Sequence, residues 1–524
     1  MVSASSVMFI SITLSALLAQ PLQVKDKPPV SSSANSNSQT ADKLEDEYED
    51  PLIQALTPTV GGLTADEVAQ KTVLSSPSVG MQKAEIQKAA AKLDQAMFSY
   101  LPMMKGTAGY TRLSAARADF SDFASKGAVV GAGSEGPLAV GPCPNGMGQC
   151  VVDSAGAPVV AVKQAGFDFE FPLNSFSLQA SLSVPLSDYV LSLLPARKGL
   201  VASKDATRLM HDAEVLNVET NARVAYYNWL RGVSQEIVAK QSLAQTQARL
   251  RDAQNAFDAG IASKADVLRL ESVVASSEAF VLRAEAFRQL SAKNLAVLMG
   301  MEEEAQLDFA IGEDILGDAK ELENVGTVHQ LVREAQQNRL EIRSLERNHF
   351  ALGRGIRAKR ASYFPRLDGV AEITYANPNQ RFFPLANEWN ASWSVGVQLS
   401  YTINSTVLAH AQIKELKSDS RKLELQIETL QRAIAMEVTS AYLDRETALA
   451  SIKFNAHALE AAEEAYRVAS DLFKVGNATA TDIIVVEVDR VNAKLEDVNA
   501  RINLRVANAK LLFATGRLKP TQGK

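Results

Sequence analysis

Two rhythms of apolar residues run through this 524-residue chain. One is a seam with steps of four and three. Near the end it reads Ile484, Val488, Val491, Leu495, Val498 and Ile502. Before it come Leu423, Ile427, Leu430, Ile434 and Val438, then Leu449, Ile452, Ala456 and Leu459. This spacing predicts coiled-coil helices whose other, polar faces stand in water rather than lipid. From about Ala196 to Phe257 there is no proline, and glycine occurs only at Gly199 and Gly232. That predicts one helix roughly 90 Å long at about 1.5 Å per residue. About Thr406–Phe473 reads as its counterpart. Each is followed by a glycine turn and a further helix, about Lys264–Met299 and Thr479–Ala514, so each should form an antiparallel pair.

The second rhythm has period two. Phe176, Leu178, Ala180, Leu182 and Val184 share one face, as do Trp393, Val395, Val397 and Leu399. Strands are expected at about 104–114, 175–184, 367–375 and 391–401. Shorter helices lead into each hairpin: Thr64–Leu74 and Val79–Ser99 in the first half, Val328–Gln337 and Leu340–Ser362 in the second. Thr64 with Glu67 reads as a capping box, Pro77 as a helix opener, and Pro102 and Pro365 as stops that redirect helix into strand.

The halves are copies. Gly260/Gly476, Asp266/Asp482, Glu271/Glu487 and Gly300/Gly516 keep one offset, and Tyr100–Gly106 aligns without a gap on Tyr363–Gly369. A repeat of this kind organises the whole chain. The first copy is expected at 63–312 and the second at 313–518, with a short tail at 519–524. The Gly- and Pro-rich stretch 115–174 is a large insert in the first hairpin and reads as irregular. Residues 1–19 resemble a secretory signal, with the apolar run Val7–Leu18 too short to span a bilayer, although no Lys or Arg precedes it. Residues 20–62 read as a disordered linker.

Composition narrows the function. A formal net charge of -6 with no basic cluster argues against nucleic-acid binding. His211, His329, His349, His410 and His457 match no zinc spacing, so no metal is expected. Gly131-Ala-Gly-Ser-Glu-Gly136 matches a dinucleotide-loop string, but Pro137, Gly141, Pro142 and Pro144 forbid the helix that string requires. With no catalytic motif present, no enzyme and no cofactor is expected. Cys143 and Cys150, the only cysteines, bracket a tight glycine loop in a chain with a secretory leader, which favours a disulfide. Ser263 with Asp266 and Thr479 with Asp482 fit capping boxes.

The strands carry the sharper constraint. Four cannot close a membrane barrel, and an open sheet leaves edge groups unsatisfied in lipid. If they are membrane strands, several chains must share one barrel. The aromatics near their ends (Tyr110, Phe176, Tyr189, Tyr363, Phe364, Trp389, Trp393, Tyr401) suit interfacial girdles.

In this duplicated order of helix, strand, strand, long helix, glycine turn and helix, with a proline before each hairpin, the chain resembles the outer membrane efflux protein family (TolC-like) over about Leu63–Leu518. The resemblance implies a mainly α fold with a small β part. A homotrimer would form a 12-stranded barrel in the outer membrane, continued by an α-helical barrel across the periplasm. It implies an exit duct for a tripartite efflux pump or type I secretion system, docked to a periplasmic adaptor and, through it, an inner-membrane transporter. It makes Gly260, Ala262, Ser263, Gly476, Ala478 and Thr479 candidate adaptor contacts and Asp482 a candidate pore-gate acid. The family's second acid would fall at Val485 and a basic gate residue at Ala478, so that charged latch is missing here. It would also place the disulfide-bearing loop outside the cell. The competing reading is a soluble periplasmic coiled-coil scaffold or adaptor.

Overall fold

The computed structural model describes residues 51–519 apart from 116, 119–127, 131–136, 144–145, 147, 163–168, 171, 261, 303–307, 318–324, 384 and 476. The expected signal segment, the linker up to residue 50, the Gly131–Gly136 string, Gly476 and most of the C-terminal tail therefore lie outside the described residues.

Nine helices carry the described architecture: α1 (Pro51–Leu56), α2 (Ala65–Ser75), α3 (Pro77–Phe98), α4 (Leu194–Asp258), α5 (Lys264–Leu298), α6 (Val328–Asn338), α7 (Leu340–Arg360), α8 (Ile403–Lys474) and α9 (Ala480–Ala514). The two long ones have 65 and 72 residues, or roughly 100 and 110 Å. α4 packs along α3, α5, α7 and α9, and α8 along α6, α7 and α9. Both glycines of α4 mark close approaches. A Cβ on Gly199 would lie 3.1 Å from the Ala351 carbonyl oxygen of α7, and one on Gly232 would lie 3.0 Å from Arg288 Cα of α5.

The repeat reappears as two cores. In the first, Val68 and Ala69 of α2 pack with Tyr226, Trp229 and Leu230 of α4 and Leu295 of α5. In the second, Leu331 and Ala335 of α6 pack with Ile434 and Val438 of α8 and Leu511 of α9. Gly300 and Gly516 close the final helix of each copy at φ +68° and +69°, the left-handed conformation that glycine adopts freely. Each abuts the end of the short helix: a Cβ would sit 2.6 Å from Ser75 Cβ in one case and 3.0 Å from Asn338 Cβ in the other.

Two expectations need correction. The stretch 51–62, read as part of a disordered linker, is ordered onto the first core. Leu52 and Leu56, one helical turn apart, are buried there, and Thr59 and Leu63 donate backbone bonds to Ile311 and Ala310. The insert is also less irregular than its composition suggested. Arg117–Ala118 pairs with Phe169–Glu170, Ala128–Val130 with Val160–Val162, and Ala139–Pro142 with Gln149–Val152. These rungs nest in nearly one register, so the insert prolongs its parent hairpin as an interrupted two-stranded arm. At its end Cys143 and Cys150 are disulfide-bonded.

The main sheet has four strands: β1 (Met103–Arg112), β2 (Asn174–Val184), β3 (Arg366–Asn377) and β4 (Asn390–Ser400), antiparallel in that order. Its register sets Gly106 opposite Ala180, Ala180 opposite Ile373, and Ile373 opposite Trp393. Because side chains alternate, one face carries Met104, Gly106, Ala108 and Tyr110, then Phe176, Leu178, Ala180, Leu182 and Val184. It continues through Leu367, Gly369, Ala371, Ile373 and Tyr375 to Trp393, Val395, Val397 and Leu399. The other face holds Lys105, Thr107, Ser177, Gln179, Ser181, Glu372, Thr374, Ser392, Ser394 and Gln398. The apolar face is bare: Trp393 and Val395 are 71% and 73% exposed.

Candidate functional site

The sheet's amphipathic faces, its two ends and the helix-pair turns are the places where this fold meets its surroundings. Among the described residues β1 and β4 each pair on one side only, so both edges of the sheet are open. Aromatic side chains mark its two ends. At the loop end, Tyr110 and Phe176 have ring centroids 4.9 Å apart, and Tyr375 stacks on Trp389 at 4.9 Å. At the helix end, Tyr189 stacks on Tyr100 and its hydroxyl donates to the Tyr100 carbonyl at 2.8 Å. There the copies are also tied together, since Leu367 N–H donates to Ser187 Oγ at 3.0 Å.

At the opposite end of the long helices lie the turns. Gly260 has φ +74° with open space around it, and Ala262 N–H donates back to the Ala256 carbonyl. Ser263 then caps α5: Asp266 N–H donates to Ser263 Oγ at 3.2 Å, and Ser263 Oγ donates to the Asp266 carboxylate at 2.6 Å. α9 starts the same way. Thr479 donates from its backbone N–H (2.9 Å) and its hydroxyl (2.7 Å) to Asp482, whose own N–H donates to Thr479 Oγ1. The Thr479 hydroxyl and then its N–H hold the Asp482 carboxyl below the usual range. Both acids therefore do the work of a cap, and Asp482 is also exposed to solvent at the turn. Ala478 is half-buried, while Gly260, Ser263 and Thr479 are exposed.

The structure brings the two turns together. Arg269 of α5 donates to Thr481 of α9. Behind them Val267 and Leu270 are buried with Ala253, against Leu250, Phe473 and Ile484, so all four long helices share one apolar plug. Further along, two guanidinium groups approach the Tyr466 ring of α8, Arg249 at 5.1 Å and Arg490 at 3.8 Å from its centroid. Arg249 also donates to the Tyr466 hydroxyl, and Arg490 to Gln245 and, at 3.1 Å, to Glu487. This cluster links α4 to both helices of the second pair. Sequence reading missed it, although one signal was present: Tyr466 and Arg490 stand equally far from Ala478 at the turn, which places them opposite each other in an antiparallel pair.

Among the described residues no group of His, Cys, Asp and Glu could hold a metal ion, and no helix is long and apolar enough to cross a membrane.

Comparison with known proteins agrees with this geometry. Residues 331–517 match the family described as outer membrane efflux protein. The outer membrane efflux protein BepC of Brucella suis is 29% identical over 25% of this chain, a match spanning 28% of BepC itself. Nodulation protein T of Rhizobium leguminosarum is 24% identical, covering 65% of this chain and 68% of its own. The CmeC outer membrane channel of Campylobacter jejuni has the same fold, with a TM-score of 0.66 at 13% identity, covering 95% of this chain and 96% of that one. The match to the outer membrane efflux protein family thus covers residues 331–517, and the first copy repeats the architecture of that segment.

Proposed function

We propose that three copies of this chain close their sheets into one twelve-stranded barrel in the outer membrane and serve as the exit duct of a tripartite efflux pump or a type I secretion system. The observation that carries this reading is a four-stranded sheet with two open edges, one continuous apolar face and one polar face. Open edges are intolerable in lipid unless each β1 pairs with the next copy's β4. Twelve is an even strand count within the range of bacterial barrels. Strands of 10 to 12 residues, tilted by about 40°, give a band roughly 25 Å tall. The polar face then lines water and the apolar face meets acyl chains. A soluble scaffold would leave that apolar face in water, at a cost that grows with its area.

In this arrangement the helices continue the duct across the periplasm. The turns at Gly260, Ala262, Ser263, Gly476, Ala478 and Thr479 are the contacts for a periplasmic adaptor that couples the duct to an inner-membrane transporter. Three Asp482 carboxylates around the axis form a cation-attracting entrance. The Arg249–Tyr466–Arg490 cluster ties the helix pairs behind it, at a place where the charged latch implied by the resemblance is absent.

The test is outer-membrane fractionation followed by electrophoresis of unheated and heated samples. A heat-sensitive species near three times the 56.5 kDa chain in the outer membrane is expected. A soluble monomer would overturn the reading.

A further inference from the structure

Loops between barrel strands ordinarily leave the sheet and enter solvent. The β3–β4 connection begins differently. Its first residues bend back over the polar face of the sheet, and a buried side chain holds them there. Asn379 is only 4% exposed. Its amide donates to the Asn390 carbonyl at 2.9 Å and to Ser392 Oγ at 3.0 Å, while its oxygen accepts from Arg381 N–H at 3.0 Å. Phe382 N–H donates to the Asn379 carbonyl, closing the turn. Arg381 then reaches across the sheet and donates to the Trp393 carbonyl at 3.0 Å. Under the loop is a polar cavity of about 350 Å³ whose lining includes Ser177, Gln179, Glu372, Arg381 and Ser394.

A buried, fully bonded asparagine is a specific anchor, because loss of its partners would strand polar groups. Its position decides what it anchors. Ser392, Thr374 and Glu372 all belong to the polar face, so the pinned turn stands on the side that lines the channel in the shared-barrel reading. Arg381 has no carboxylate partner among the described residues, and Glu372 accepts only from Thr374 Oγ1 at 3.1 Å. Both charges are therefore available to a passing solute, a few residues inside the strands from the aromatic cluster of the loop end.

The geometry points to a second selective element, at the outer mouth. The turn 378–383, stapled by Asn379, narrows the lumen and sets Arg381 toward the axis as its charge-discriminating residue. Three Arg381 guanidinium groups around the axis favour anions and anionic parts of a solute and disfavour cations, with Glu372 behind them limiting the preference. The mouth thus has the opposite sign to the Asp482 entrance.

This inference rests on the shared-barrel reading, and the experiment separates the two. The full-length protein is reconstituted in planar bilayers under a KCl gradient, and conductance and reversal potential are recorded. Arg381→Gln is expected to move the reversal potential toward cation preference. Asn379→Ala is expected to raise conductance as the turn leaves the lumen. Ser392→Ala removes one anchor bond more gently and should shift conductance the same way if Asn379→Ala does not assemble. Unchanged conductance and reversal potential in Arg381→Gln and Ser392→Ala, with channels still formed, would overturn the outer-mouth element and leave the barrel standing. A wild-type protein that forms no channel would overturn both.

Discussion

Gly232 of α4 gives the opposite prediction from Gly353 of α7, and the contrast tests how tightly the helix pairs are packed. In a helix interior, alanine is favoured over glycine by about 1 kcal/mol. At Gly353 of α7 a Cβ would meet nothing within 4 Å, so Gly353→Ala should keep that whole gain. At Gly232 the same methyl would lie 3.0 Å from Arg288 Cα and 3.0 Å from Ser291 Oγ. The first of these atoms is backbone and cannot rotate away, so α4 and α5 must separate locally. Overpacking of this kind costs about 1–3 kcal/mol, which cancels or exceeds the propensity gain. Spreading the helices would also disturb the Arg288–Glu236 and Lys240–Glu285 ion pairs across the same seam. The two variants should therefore differ by about 1–3 kcal/mol, Gly353→Ala above wild type and Gly232→Ala at or below it. Urea unfolding followed by helical circular dichroism, at one protein and detergent concentration, reads the difference as a shift in midpoint. A Gly232→Ala protein as stable as Gly353→Ala would show that the α4–α5 approach is looser than its geometry implies.

Tyr466→Ala removes the ring that Arg249 and Arg490 both contact and so the shared tie between α4 and the second helix pair; in the shared-barrel reading, larger single-channel conductance is expected, without loss of the heat-sensitive trimer. Asp482→Asn should reduce cation selectivity at the entrance; the contribution of the Asp482 cap is present above the ordinary aspartate range and is lost as pH falls through its depressed value, so wild type should approach the variant in strongly acidic solution. Glu334, held below the usual carboxylate range by its bonds from Arg517, follows the same sign: the tie between α6 and the chain after α9 should hold at neutral pH, loosen on acidification, and be missing at every pH in Arg517→Ala, as read by proteolysis of the C-terminal segment. Cys143→Ser with Cys150→Ser should destabilise the arm tip by about 2 kcal/mol on the chain-entropy account, seen as faster cleavage within residues 137–160, while barrel assembly is unaffected.

Much of this was legible because the strongest signals were long or duplicated. A seam over ten turns has few alternative readings, and α4, α5, α8 and α9 fall within a few residues of their expected ends. The caps at Thr64, Ser263 and Thr479 were readable because a capping box is local chemistry. Met104–Ser114 is the least hydrophobic of the four expected strands, since Gly106 and Ala108 add little. Only pairing with Leu178 and Ala180 shows that they complete the apolar face. The helix at Pro51–Leu56 was hidden by the Ser-, Asn- and acid-rich composition before it; two leucines a turn apart make too short a pattern to stand out. The side chains that act between elements were the least visible. Arg249, Tyr466 and Asn379 are ordinary polar residues in sequence, and their partners lie on other strands or helices.

The arm of the first hairpin leaves and rejoins the sheet where Arg112 and Asn174 already face each other. Its length is therefore independent of the framework, since the closure cost of a longer loop grows only slowly and the strands below keep their register. Its tip turns at Gly146 and Gly148, both at positive φ, on a disulfide-closed loop. In engineering terms this is a ready insertion port. In the shared-barrel reading, a peptide epitope or affinity tag grafted between the two cysteines would be carried in three copies beyond the loop end of the sheet, far from the helix-pair turns, without changing a residue of the four main strands.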